Sequence, residues 1–363
     1  MTVTVDPGTE VDPEHYRTEL LGYCYRMLGS AFDAEDAVQD ALVRAWKSRD
    51  SFEGRASMRT WLYRIATNVC LDLIGSRSRR ARPYDLSGTS WQPIEASLAG
   101  SRAAEEWLEP MPDGWLFPAG DAVADPAEVI VRRESVRLAF VAALQYLPAR
   151  QRAVLVLRDV LRWKAAEVAE LLDTTVASVN SALQRAHAAL AERRAEGSVA
   201  DAGAEVGGSG PAAEIFDELD SAQTALLDRY VDAFERYDMQ SFVSLLHEDV
   251  LQNMPPYEMW LSGPQDVVAW MLGPGAECRG SRLIRTVANG QPAFAQYRLA
   301  ADGSYFPWGL QVLDVRDGSV RGISTFLDTR VFALHGLPDS PPDAGAEPGE
   351  TVADGPGAVR AAR

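Results

Sequence analysis

Three sets of side chains in this 363-residue chain have the types and spacing for chemistry at charged surfaces. Between Ala31 and Val43 stand four acids, Asp33, Glu35, Asp36 and Asp40, with Gln39 among them and no base. Trp46 follows. From Arg55 to Arg82 the balance reverses, with seven Arg against one acid, Asp72, and with Trp61 and Tyr63 interleaved. Guanidinium groups neutralise phosphate, and exposed rings stack on unpaired bases at about 1–3 kcal/mol per base. That combination suits single-stranded nucleic acid. A helix end attracts Arg through its dipole, but Arg77, Arg79, Arg80 and Arg82 crowd six positions, more than a dipole asks for. The third set, Thr174, Thr175, Ala177, Ser178, Asn180, Ser181, Gln184 and Arg185, is short and polar. Such groups reach base edges and phosphates from the start of a helix.

Helices must position all three sets. In 33–46 the apolar residues Ala34, Ala37, Val38, Ala41, Leu42, Ala45 and Trp46 fall in a helical stripe, and Asp33 stands where an N-cap belongs. The acids then take the opposite face, which on periodicity alone is equally a solvated face of an ordinary helix. The Gly-containing loop Ser48–Ser57 leads into a second predicted helix, which carries Arg59, Trp61, Arg64 and Asn68 and ends in Arg77, Arg79, Arg80 and Arg82. Residues 138–163 read as two helices broken near Pro148. Ala165, Val168, Ala169 and Leu172, then the turn Asp173–Thr175, then Val176, Val179, Leu183, Ala186 and Leu190, predict a helix-turn-helix. A plain three-helix packing unit has the same pattern.

The overall charge of −17 conceals this organisation. By segment, residues 12–82 are net +2, 83–131 net −8, 132–194 net +5 and 195–363 net −14. Basic segments alternate with acidic ones, the asymmetry expected of a nucleic-acid reader. The six prolines between Pro83 and Pro126 predict a flexible acidic linker, 83–126, parts of which dock through Trp91, Trp107, Trp115 or Phe117. Residues 195–213 read as a Gly/Ala/Ser linker and 338–363 as a disordered tail. No apolar run approaches the roughly 18–20 residues of a membrane span, and the N-terminus has no signal-peptide pattern. Three widely spaced cysteines (Cys24, Cys70, Cys278) point to a reducing cytoplasm.

The order "DAEDAVQDALVRAW, SFEGRASMRTWLYRIATNVCLDLIGSRSRR" resembles domain 2 of sigma-70-type extracytoplasmic-function sigma factors, here 13–82. The run LPARQRAVLVLRDVLRWKAAEVAELLDTTVASVNSALQRA resembles their domain 4, here 127–194. The resemblance implies a promoter-specificity subunit with core RNA polymerase and promoter DNA as partners. It places Asp33, Glu35, Asp36, Gln39, Asp40 and Trp46 in the polymerase-binding helix. Arg59, Trp61, Arg64, Asn68, Arg77, Arg79 and Arg80 fall in the −10 element reader, and the Thr174–Arg185 set in the −35 reader. Trp46 and Trp61 are also candidates for the core. Asn180 and Ala182 stand where the family often carries Lys or Arg, which implies an altered −35 contact. The acidic linker would thread toward the polymerase cleft, as a strand mimic or as a polar tether.

Residues 214–337 begin with helices and turn to strands, with SRLIRTVA, PAFAQYRLA, YFPWGLQVLDVRDG and SVRGISTFLD separated by Asn289–Gly290, Asp302–Gly303 and Asp317–Gly318 turns. That α+β order resembles the cone-shaped SnoaL-like branch of the nuclear transport factor 2 superfamily. The resemblance implies an apolar pocket, for which Met254, Trp260, Trp270, Tyr297 and Trp308 are candidates; all five equally fit a core. His247, Asp249 and Asp314 are the titratable groups considered, and they form no catalytic constellation. No catalytic residue, metal or cofactor is assigned. The fold class is therefore multidomain: two all-α domains, the second with a helix-turn-helix, then an α+β cone. The expected protein is a cytoplasmic, non-enzymatic initiation factor regulated in cis by its C-terminal domain, with a small-molecule ligand or a self-contact there. The alternatives are a bifunctional protein with a cyclase or isomerase domain, and a helix-turn-helix repressor independent of polymerase.

Overall fold

The computed structural model describes residues 12–52, 57–76, 79–117, 131–195 and 221–342. Arg77, the 196–213 linker and the tail beyond 342 lie outside them. The chain divides into two compact units, Met1–Arg79 with Ala143–Ala195, and Arg80–Ala142 with Glu196–Arg363.

The first unit is helical. Helix α1 (Arg17–Leu28) stops at Gly29, whose φ of +71° closes the helix in the left-handed region. Helix α2 (Ala31–Lys47) starts two residues before the expected Asp33, because the Ser30 hydroxyl accepts from the Asp33 amide at 3.0 Å and takes the cap itself. Helix α3 (Met58–Ser76) packs on both. Leu20, Met27, Val38, Leu62 and Val69 fill the space between them, with Tyr23 bonded to Thr67 at 2.8 Å.

Residues 143–195 join the same unit. Helix α5 (Leu138–Gln145) ends before Pro148, which caps helix α6 (Ala149–Leu155), as the sequence predicts. A π-turn follows (Val156–Val160), then α7 (Ala165–Leu171) and α8 (Val176–Ala195). The buried Arg152 side chain ties α6 to α1, donating to the Met27 carbonyl and to Gln145 Oε1 (2.6 Å) and O (3.0 Å). Burial pushes its pKa down to about 10, which leaves it charged.

The second unit is built on a six-stranded sheet in the order β2-β1-β6-β5-β4-β3. The strands are β1 (Leu246–Asn253), β2 (Trp260–Ser262), β3 (Arg282–Ala288), β4 (Gln291–Leu299), β5 (Tyr305–Arg316) and β6 (Ser319–Phe326). The last four are the predicted meander. Strands β1 and β2 are additions to it, and β1 runs parallel to β6. Helices α9 (Ser221–Glu235), α10 (Met239–Val243) and α11 (Pro264–Leu272) pack on one sheet face around Tyr230, Phe234, Phe242, Trp270 and Phe294. The other face holds Ala293, Ala295, Tyr297, Leu310 and Val312 under α12 (Arg330–Leu334) and Leu138.

Residues 80–117 correct the reading of 83–126 as a flexible linker and keep only its expected docking at Trp91 and Trp107, because they are no free tether. They carry 3-10 turns and a short helix α4 (Asp113–Leu116), and they pack along the sheet. The Trp91 amide donates to the Trp260 carbonyl at 2.9 Å, Arg102 to Pro256 at 3.0 Å, and Glu258 to Gly100 at 3.0 Å. The prolines predict only the loss of regular helix. A segment whose backbone pairs with a sheet edge and whose Trp107, Leu108 and Met111 are buried stays in place without one.

Candidate nucleic-acid interface

On α2 the apolar stripe is buried, and Asp33, Asp36 and Asp40 line a groove of about 330 Å³ with Arg44, Val69 and Asp72. Asp40 pairs with Arg44 at 2.7 Å, and Arg44 approaches Asp72 at 3.8 Å. Glu35 is half-buried and Gln39 is exposed. Trp46 is not core: it is 67% exposed beside Val43, also exposed. Apolar surface next to acids describes a protein-docking face better than a merely solvated one.

Helix α3 presents Trp61, Arg64 and Asn68 along one stripe. Trp61 is half-buried and packs on Phe52 at 4.9 Å. Asn68 is exposed. Arg59 pairs with Glu19 at 2.7 Å and lies over Trp163 at 5.1 Å, and Arg64 donates to the Glu170 carbonyl at 2.8 Å. Both cations thus face residues of the 143–195 half. Arg79 is exposed, 3.9 Å above the Tyr146 ring. Arg80 departs from the expectation. It is 6% exposed and donates to the Trp107 carbonyl at 2.6 Å and the Ala104 carbonyl at 3.3 Å, with Glu109 at 3.7 Å. A guanidinium spent on buried carbonyls is a structural clamp, so Arg80 leaves the set of phosphate-facing residues.

The helix-turn-helix forms, although Val176, expected in the buried stripe of its second helix, is 43% exposed. Asp173 takes φ +49° in the turn, and Thr175 Oγ1 accepts from the Ser178 amide at 3.2 Å, capping α8. Thr174, Thr175, Ala177, Ser178, Asn180, Gln184 and Arg185 are exposed and Ser181 is half-buried, while Val179 and Ala186 point inward. Arg185 donates to Ser181 at 2.6 Å, which aims the guanidinium along the helix surface.

In the second unit the five pocket candidates do not meet. Trp270 lies in the helix-side cluster with Met254 packed against it, and Tyr297 lies in the cluster of the opposite face. The Trp260 indole donates to Ser87 at 2.8 Å, and Trp308 lies under Arg298 at 4.1 Å. The helix-side interior holds a neutral chain instead. Tyr230 donates to Gln311 (2.8 Å), Gln311 to Gln296 (2.8 Å) and Gln296 to Ser281 (3.1 Å). Burial holds the Tyr230 phenol far above its ordinary pKa. Asp314 is spent on Arg137 (2.7 Å) and Arg316 (3.0 Å), and His247, Glu248 and Asp249 cluster at the start of β1, the two acids exposed.

What sequence reasoning missed is the junction at the β3–β4 turn. Asn289 and Gly290 read as a hairpin signal, and they do form a turn with φ +58° and +65°. The same two residues hold two distant segments. Asn289 Oδ1 accepts from the Met111 amide at 2.9 Å, its Nδ2 donates to the Val136 carbonyl at 2.6 Å, and the Gly290 amide donates to Asp113 at 2.8 Å. Nearby, Arg137 pairs with Asp314, and the Leu138 amide donates to Gln291 at 3.2 Å. Burial raises the Asp113 pKa to about 6, against the opposing pull of the Gly290 amide and Arg133. A polar residue doing two jobs looks like a turn residue in sequence, since its second partners are more than 150 positions away.

Comparison with known proteins agrees with this division. Residues 14–80 match the family Sigma-70 region 2, residues 137–190 match Sigma-70, region 4, and residues 227–323 match the SnoaL-like domain. The chain is 45% identical over 330 residues to the ECF RNA polymerase sigma factor SigG of Mycobacterium tuberculosis, covering 90% of this chain and 83% of that one. It is 31% identical over 237 residues to SigJ of the same organism, covering 65% and 62%. The crystal structure of SigJ shares the fold with a TM-score of 0.54 at 22% identity, over 90% of this chain and 98% of that one. No helix among the described residues is long and apolar enough to cross a membrane. The chain therefore belongs to the extracytoplasmic-function family of RNA polymerase sigma factors and is a transcription initiation factor rather than an enzyme.

Proposed function

We propose that this sigma factor binds core RNA polymerase through the acidic face of α2 and the exposed Trp46, reads the −10 element with Trp61, Arg64, Asn68 and Arg79, and reads the −35 element with α8. The observation that carries this assignment is the exposure of Asp36, Gln39 and Trp46 on α2, of Arg64 and Asn68 on α3, and of Ser178, Asn180, Gln184 and Arg185 on α8, each helix turning other apolar residues inward. Control in cis rests on the docking of residues 80–117 and 135–138 against the C-terminal sheet, since this segment links the two promoter-reading regions.

In vitro transcription with core polymerase, on promoters taken from DNA upstream of the protein's own gene, tests the reading. The double variant Asp36→Arg/Asp40→Arg is expected to lose core binding while keeping its helical circular dichroism. The double variant Arg64→Ala/Asn68→Ala is expected to bind core polymerase and fail to open the promoter. A full-length chain that does not bind core polymerase would overturn the proposal.

A further inference from the structure

Tyr146, the residue after α5, carries two guanidiniums on its ring. Arg79 lies 3.9 Å from the ring centre, and Arg193, in the last turn of α8, lies 3.1 Å from it. At these distances two guanidiniums on one face would overlap, so they take opposite faces and sandwich the ring. The ring attracts each cation, but it accepts few of their N–H donors. Among the described residues neither Arg79 nor Arg193 makes an ion pair or a hydrogen bond. Arg59, Arg137, Arg285 and Arg298, by contrast, each face a carboxylate.

A third positive charge stands close by. Burial is the main cause of the lowered pKa of Arg152, and repulsion from Arg79 adds to it. The donors of Arg152 are committed to the Gln145, Leu147 and Met27 carbonyls and to the Gln145 side chain. Three guanidiniums are therefore gathered around residues 145–147 with no ion pair among the described residues, and like charges held so near repel. An anion relieves that repulsion. Arg79 is exposed and Arg193 half-buried, so a ligand reaches both from solvent. Each guanidinium meets a phosphoryl group with a planar fork of donors. Two forks one ring thickness apart match two linked phosphoryl groups, whereas a carboxylate or a single phosphate satisfies only one.

We propose that Arg79 and Arg193, held on the two faces of Tyr146, form a binding site for the diphosphate group of a small molecule. Arg79 follows α3 and Arg193 belongs to α8, so the site exists only while the two promoter-reading regions are together. That favours a free diphosphate over the backbone of promoter DNA, which is read with the two regions apart. An occupant stabilises the closed arrangement by mass action and opposes promoter reading. This consequence rests on the function proposed above, whereas the binding itself does not.

Calorimetric titration of the full-length chain with inorganic pyrophosphate tests the site without polymerase or DNA. Saturable binding at one site per chain is expected, at least 10-fold tighter than that of inorganic orthophosphate. Arg193→Gln should weaken pyrophosphate at least 10-fold with an unchanged melting temperature of the free chain. Arg150→Gln removes the same charge from an exposed position on α6 and should change the affinity less than 3-fold. A ten-nucleotide oligothymidylate without terminal phosphates should leave the pyrophosphate affinity unchanged. Absence of saturable binding, equal binding by Arg193→Gln, equal losses in Arg193→Gln and Arg150→Gln, or displacement by the oligonucleotide would each overturn the site as proposed. All four outcomes leave the sigma-factor assignment intact. If Arg193→Gln fails to fold, Arg193→Lys, which keeps the charge and loses the fork, decides in its place by the same loss.

Discussion

Arg80 and Asp113 show how much a residue's environment decides. Arg80 sits in a run of guanidiniums that reads as a phosphate-binding end, yet its donors go to Trp107 and Ala104 carbonyls with Glu109 alongside. Arg80→Ala takes the donor from the buried Trp107 and Ala104 carbonyls, and chemical denaturation should show a loss of about 1–3 kcal/mol. Arg64→Ala, by contrast, should leave stability nearly unchanged and lower the salt dependence of DNA binding by about one unit of slope. Asp113 has its pKa raised to about 6 by burial, above its ordinary 3.8. The folded state thus holds the proton more tightly than the unfolded state, so this group's contribution is most favourable below about pH 4 and is lost as pH rises through 6. Asp113→Asn, which keeps an acceptor for the Gly290 amide, should stabilise the second unit by about 2–3 kcal/mol at pH 7.5. Near pH 4 the gain should fall below about 1 kcal/mol. A gain independent of pH would remove Asp113 from this role. His335 works in the other direction, since burial lowers its pKa to about 4 and its stabilisation is lost as pH falls from 6.5 toward 4. Comparing the two chains at each pH cancels that background.

At the scale of elements, the β3–β4 hairpin turn is both a chain reversal and an anchor. Its Asn289 side chain satisfies an amide at 111 and a carbonyl at 136, residues on either side of the segment 112–135. Asn289→Ala should weaken docking by about 1–3 kcal/mol, the desolvation penalty of stranded backbone groups. Hydrogen exchange should quicken at Met111 and its neighbours while the amides of β5, in the middle of the sheet, keep their protection. The turn before α8 has a comparable dependence on one side chain. Thr175→Ala removes the cap to Ser178, which should destabilise the helix by about 1 kcal/mol and weaken −35 binding more than −10 binding.

For the whole molecule, both promoter-reading regions lie in one compact unit of 132 residues, whose expected radius of gyration is about 14 Å. The −10 and −35 elements are about 25 base pairs apart, or ~85 Å at 3.4 Å per step. One compact unit does not span that distance. Arg59 on Glu19 and over Trp163, and Arg64 on Glu170, must therefore separate from their present contacts before both elements are read together. Energy transfer between dyes on α3 and α8 should drop when core polymerase and promoter DNA are added. A distance that stays short in an initiating complex would contradict this.

The sequence alone determined what depends on local periodicity and short-range chemistry. The α2 stripe, the break at Pro148, the Thr175 cap and the strands after Ser281 follow from spacings of two to four residues, and the wording of the two sigma regions lies in the same stretches. Tertiary structure decided whatever depends on partners far along the chain. It buried Arg80, exposed Trp46, set the pocket candidates Trp270 and Tyr297 on opposite sheet faces and turned an acidic proline-rich stretch into a docked strap. Each of these rests on hydrogen bonds or packing between residues tens to more than 150 positions apart, and no local pattern encodes such a partner. Charge and proline content describe how a segment meets water, whereas docking depends on whether another surface satisfies its backbone first.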